Sequence, residues 1–232
     1  MALVKYGGGI IQMSGSIAGT VHARNHYGNY ARARTKPVNP QSAMQTAVRS
    51  SFGFLADSWA QTLTSAQRTA WNLYGASVAM KNHLGEVVYM TGFNHYIRSN
   101  SILKRSARTL VAAGPTVFEL PAVDPTFSMA CAQTDNMGTF TYDDSMDWAN
   151  EVGGWMHMFM GQPQNPQRNF FDGPWKLYAA VAGSLGSPPS SPGNTSAPFA
   201  MSTGQKVWVY ARITRADGRT SEKFRSSCIV TA

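Results

Sequence analysis

The sequence predicts an α+β protein in three parts: an extended N-terminal arm over 1–38, a small three-helix cluster over 39–111, and an antiparallel β-sandwich over 127–232 behind a linker at 112–126. Three observations predict it. Glycines at 7, 8, 9, 15, 19 and 28 interrupt the opening segment and make helix costly there. Apolar residues then recur at three- and four-residue spacing from Met44 to Leu103. Beyond residue 126 the apolar period changes to two.

The arm carries basic and aromatic residues among small ones: Arg24, His26, Tyr27, Tyr30, Arg32, Arg34 and Lys36, with no acid before Asp57. So little apolar area cannot offset the entropy of ordering it, so the arm is expected to take its order from another subunit. Asn39 as cap and Pro40 at the first helical position predict a helix over 40–62, faced by Met44, Ala47, Val48, Phe52, Leu55 and Trp59. Thr64 and Gln67 form a capping box for a second helix, with Gly75 as its expected stop. A hairpin-like stretch over 83–90 follows, and Thr91 caps a third helix ending near Arg105. Three prolines at 115, 121 and 125 make 112–126 an extended linker.

In the last part, runs such as Val207, Val209, Ala211 and Ile213, or Leu177, Ala179 and Val181, read as strands. Met156, Met158 and Met160 alternate with Trp155, His157 and Phe159; one face must be core, and the other is either an adaptable contact surface or covered as well. Turn signals separate these runs, including Gly153-Gly154, Asp217-Gly218 and a Ser/Pro/Gly-rich surface loop over 184–198. Six or seven short strands so punctuated suggest a sandwich of fibronectin III or immunoglobulin type.

Composition narrows the function classes. Charged residues make up 14% and apolar residues 43%, where charge is typically about 25%. Such a surface suits coverage by neighbours. The net charge of +8 is uneven: residues 1–113 hold 12 Lys/Arg against two acids, and residues 114–232 hold 8 against 10. That field favours an acidic partner surface. Nucleic acid fits less well, because six basic residues in the first 56 is sparse for tracking phosphates. The N-terminus is too glycine-rich for a signal segment, and no apolar run approaches the ~20 residues of a membrane span, so the chain is expected to be made inside the cell without a membrane partner. Cys131 and Cys228 show no metal-ligand spacing; two buried thiols are favoured over a disulfide.

No enzyme motif is present: no G-x-S-x-G, no phosphate-binding G-x-x-x-x-G-K-[ST], no H-E-x-x-H and no dinucleotide glycine pattern. No cofactor and no metal are expected. Asp143, Asp144, Asp147 and Glu151 lack calcium-loop spacing and read as an acidic turn. Arg98, Lys104, Arg105 and Arg108 read as a solvated basic helix end. His157 reads as a core or rim histidine.

The run from Gly15 to Phe52, followed by LTSAQRTAW, resembles a pattern in uncharacterised proteins of tailed phages and prophages, in which a glycine-rich segment precedes R-x-R-x-x-P-x-N-P and a helix beginning Q-x-x-x-R-x-x-F. The matching residues are Arg32, Arg34, Pro37, Asn39, Pro40, Gln45, Arg49 and Phe52, then Ala66, Gln67, Arg68 and Trp71. The resemblance covers about residues 7–75. It implies a virion component and little finer; with the arm and the missing enzyme motifs, the expectation is a non-enzymatic structural protein assembled in the host cytoplasm, most simply a capsid decoration or cement protein, alternatively a neck, tail or baseplate component. Its partners would be other virion proteins, the major capsid protein or neck and tail subunits, with the chain a homo-oligomer or bound to the lattice. On this reading Arg24, Tyr27, Tyr30, Arg32, Arg34 and Lys36 bind the partner. The reading from another class is a carbohydrate- or receptor-binding module using Trp148, Phe170, Phe171 and Trp175, although the segment NFFDGPW is expected to pack as a sandwich corner.

Overall fold

The computed structural model describes residues 2–232; the first residue of the expected arm lies outside them. It shows an α+β chain of three helices and a β-sandwich, preceded by a small sheet. The expected extended arm is instead a four-stranded antiparallel sheet in the order β1-β4-β3-β2, made from β1 (Ala2–Leu3), β2 (Gly15–Ile17), β3 (Thr20–Asn25) and β4 (Gly28–Ala33). Gly15 and Gly28 take positive φ at the starts of β2 and β4, which a side chain would resist. These strands satisfy each other's backbone groups, and no residue from 2 to 54 is buried.

The first helix, α1 (Ala43–Asp57), begins three residues later than Pro40 predicts. Gln41 sits at φ 48°, which breaks the helical run, and the Ser42 hydroxyl accepts from Gln45 N–H in place of an Asn39 cap. Its end widens into a π-helical turn over Ser58–Thr62, closed by Leu63 N–H donating to the Ser58 carbonyl at 3.0 Å. The capping box forms as expected and opens α2 (Ser65–Ser77). Gly75 does not stop α2. It lies where a Cβ would sit 2.5 Å from the Met90 carbonyl oxygen, so this glycine is there for close approach. A hairpin of β5 (Ala79–Lys81) and β6 (Val87–Tyr89) leads to α3 (Gly92–Arg105), capped by Thr91. Leu55, Leu63, Trp71, Tyr74, Tyr96 and Ile97 form the helical core, with Trp71 edge-on to both tyrosines.

The seven strands are hydrogen-bonded in one order, β10-β9-β12-β13-β7-β8-β11, which folds over into a layer of β11-β8-β7 and a layer of β10-β9-β12-β13. The elements are β7 (Ser128–Ala132), β8 (Met137–Thr141), β9 (Trp155–Gly161), β10 (Trp175–Ala182), β11 (Gly193–Ser196), β12 (Lys206–Thr214) and β13 (Phe224–Thr231). The loop expected over 184–198 therefore contains an edge strand, too polar to show a period. The sheets share β13, which runs antiparallel to β12 and, at Val230 and Thr231, parallel to β7. Met129, Cys131, Phe140 and Tyr142 from one sheet meet Met156, Met158, Met160 and the Val207–Ile213 alternation from the other.

Two further expectations change, the free thiols and the β10 alternation, and the choice left open at β9 falls to full coverage. Cys131 and Cys228 are joined as a disulfide between β7 and β13, so the strands carrying them are close enough to bond. The methionines of β9 are core, and the opposite face is covered too: His157 is 0% and Phe159 1% exposed. A bulge at Tyr178 breaks the Leu177-Ala179-Val181 alternation. Leu177 pairs with Phe159 on the outer face, and Ala179 pairs with Met158 in the core.

Candidate interaction site

The six candidate residues of the arm do not share one surface. Antiparallel partners project to the same side, so Arg24, paired with Asn29, shares a face with His22 and Ala31. Tyr30, paired with Ala23, and Arg32, paired with Val21, lie on the other face. The 4–14 segment crosses the Arg24 face: Tyr6 Oη meets His22 Nδ1 at 3.0 Å, and Arg24 donates to Gln12. The Tyr30–Arg32 face keeps Val21, Ala23 and Tyr30 half-exposed, with Arg34 and Lys36 following in extended chain.

Tyr27 is at the β3–β4 turn, where Asn25 Oδ1 accepts from its N–H. The turn is tied to its own chain. Tyr27 Oη donates to Met90 Sδ, Asn82 Nδ2 donates to the Tyr27 carbonyl, and His26 Nε2 meets the Tyr89 carbonyl. Lys5 pairs with Glu86 at 2.8 Å; the bond raises the lysine pKa and lowers that of the glutamate. Sequence reading missed this anchorage. Its one visible signal is Asn-x-x-Gly at 82–85, where Asn82 Oδ1 accepts from Leu84 and Glu86 N–H and shapes the hairpin tip.

The basic end of α3 is not a simple solvated terminus. Arg98 donates to the carbonyls of Thr220 and Ser221 at 2.5 and 2.7 Å, joining α3 to the β12–β13 hairpin. Burial, with Arg212 nearby, pulls its pKa down to about 10. Lys104, Arg105 and Arg108 lie over the rings of Phe54, Phe159 and Trp155 at 3.8, 4.9 and 4.0 Å from the centroids. The acidic turn is partly neutralised within the chain, since Arg215 pairs with Asp147 and Glu151. Among the described residues, no group of three or more His, Cys, Asp or Glu is arranged to hold a metal. Nor is any helix long and apolar enough to cross a membrane.

A sugar platform does not assemble from the four aromatics named for it. Trp148 and Phe171 are buried; Phe171 stacks on Trp208 and meets Trp175 edge-on, which makes NFFDGPW a packed corner. Phe170 alone of the four is largely exposed, at 68%.

No sequence profile of a known protein family matches the chain, and no curated protein matches it in sequence. Among solved structures it is similar to a Fn3-like protein from Clostridium thermocellum, 14% identical over 48% of this chain and 95% of that one, with a TM-score of 0.31. The adhesin domain of Epf from Streptococcus pyogenes matches 49% of this chain and 33% of its own at 11% identity and a TM-score of 0.31. A family 76 glycoside hydrolase from a bovine Bacteroides thetaiotaomicron strain matches 48% and 20% at 10% identity and a TM-score of 0.32. Likeness this slight carries nothing about what the chain binds.

Proposed function

We propose that the chain is a non-enzymatic structural protein of a tailed-phage particle, a decoration or cement subunit of the capsid. In this reading the basic N-terminal sheet docks on an acidic surface of another virion protein, and a fibronectin III-type sandwich projects from the helices. The three-plus-four strand arrangement supports that sandwich type, because β10 follows β9 onto the sheet of β12 and β13 and does not join the opposite one. One observation carries the reading: a segment of more than fifty residues with six Lys/Arg, no acid and not one buried side chain. Strand pairing satisfies its backbone, but a small sheet without a core is marginal in water and gains most by being covered.

Tyr30, Arg32 and Arg34 are the contacts this reading favours, since they sit on the face that the 4–14 segment leaves open. Arg24 and Tyr27 serve instead to hold the sheet together and to its hairpin. Deleting residues 1–38 should leave a folded chain by circular dichroism that no longer enters particles, and Arg32→Glu with Arg34→Glu should weaken entry in the same direction. Normal incorporation of the truncated chain would overturn the reading. Copy number in intact virions separates the variants: a symmetric shell needs many copies, whereas a neck or baseplate holds about a dozen or fewer.

A further inference from the structure

The apolar stripe of α1 is covered by its own chain at Leu55 and Trp59 but left open towards its start, where Met44 is 54% and Phe52 47% exposed. Between α1, the end of α3 and the start of β10 runs an open groove of about 360 Å³, lined by Met44, Ala47, Val48 and Leu177 and flanked by Lys104 and Lys176. The bulge at Tyr178 is what turns Leu177 outward into it. Arg105 adds a third cation; Lys176 Nζ donates to the Pro198 carbonyl at 3.3 Å, whereas neither Lys104 nor Arg105 has a carboxylate within 4.0 Å among the described residues. An apolar trough with a cationic rim fits an apolar side chain next to an acid.

The linker of this chain presents that combination. Val117 and Phe118 are 40% and 45% exposed, and the Glu119 side chain is 77% exposed, with its ion pair to Arg219 at the 4.0 Å limit. Leu120 is packed against the helical core, which holds the tip in place. The tip cannot reach its own groove. Leu177 is level with Tyr210 through Phe159, while Arg219 lies beyond Thr214 at the far end of β12; four strand residues alone span about 13 Å.

We propose that the groove receives the 117–119 tip of a second copy of this chain, with Phe118 against Met44, Val48 and Leu177 and the Glu119 carboxylate between Lys104 and Arg105. Groove and tip are different patches, so the contact is heterologous and propagates into a ring or a row. Each contact is small and gains its strength from repetition. It uses none of the arm residues.

Sedimentation equilibrium of the full chain at low salt tests it. The wild type should self-associate with increasing concentration. Glu119→Lys alone, and Lys104→Glu with Arg105→Glu in one chain, should each weaken association about tenfold or more through like charge. Mixing the two variants should restore it, because opposite charges meet again at both kinds of contact. A wild type that stays monomeric, or reversed chains that associate as before, overturns the proposal. Association abolished by deleting 1–38 but untouched by these reversals assigns self-contact to the arm and overturns it too. Charge reversal that blocks association while the truncated chain still enters particles sinks the arm reading and leaves this one standing.

Discussion

His157 lies directly opposite Arg212 on the outer face of β9 and β12, fully buried, with no hydrogen-bond partner for either ring nitrogen. Burial, with Arg108 adding to it, pulls its pKa from 6.5 down to about 4. His95, edge-on to Tyr74 and near Arg98, is pulled down to about 4 in the same way. Both rings are therefore neutral in the folded chain through a range where the unfolded chain takes up protons. The stability these two histidines contribute should be level above pH 7, fall as pH drops from about 6.5 to about 4, and flatten below that. His157 alone can contribute on the order of 3 kcal/mol to that fall. Urea midpoints measured between pH 7.5 and 4 check this, and His157→Leu should flatten part of the slope. A midpoint that rises on acidification would contradict the neutral assignment. The sequence shows a histidine on an alternating strand, but not that Arg108 and Arg212 come to lie beside it.

At the scale of elements, the features written in neighbouring residues were legible. Thr64 with Gln67 and Thr91 before Gly92 mark helix starts that the structure keeps, because a cap is a contact across three residues. Features that depend on distant chain were not. Gly75 reads as a helix stop, yet α2 passes it because the backbone at Met90–Gly92 presses there. Glycine to alanine inside a helix ordinarily gains up to about 1 kcal/mol. Gly75→Ala should instead destabilise by about 2 kcal/mol or more, since the added methyl meets backbone that cannot turn aside. A raised thermal midpoint would refute the close-approach role. The Tyr178 bulge and the β11 edge strand were hidden for the same reason, as was the division of Arg24 from Tyr30 and Arg32 between two faces. Strand register is a property of pairs, and a single chain read in order does not display it.

Across the whole molecule, the sandwich and the helical cluster are joined by Arg98 on the β12–β13 hairpin and by three cations over aromatic rings, so the order of parts along the sequence understates how closely they pack. The disulfide closes a separation of 97 residues, nearly the length of the sandwich. Reducing it, or replacing both cysteines by alanine, should lower stability by roughly 2–4 kcal/mol without changing the fold, read as a drop in denaturation midpoint. Spacing alone did not show this bond, because it depends on the first and last sandwich strands lying side by side. That arrangement has a mechanical meaning. When two parallel strands are drawn apart by opposite ends, their bonds resist in shear and break together, whereas a hairpin peels one bond at a time. A load applied between the start of β7 and the end of β13 meets the parallel pairing of Val230 with Cys131 and a covalent stitch beside it. Force directed along that line would find this sandwich hard to pull open.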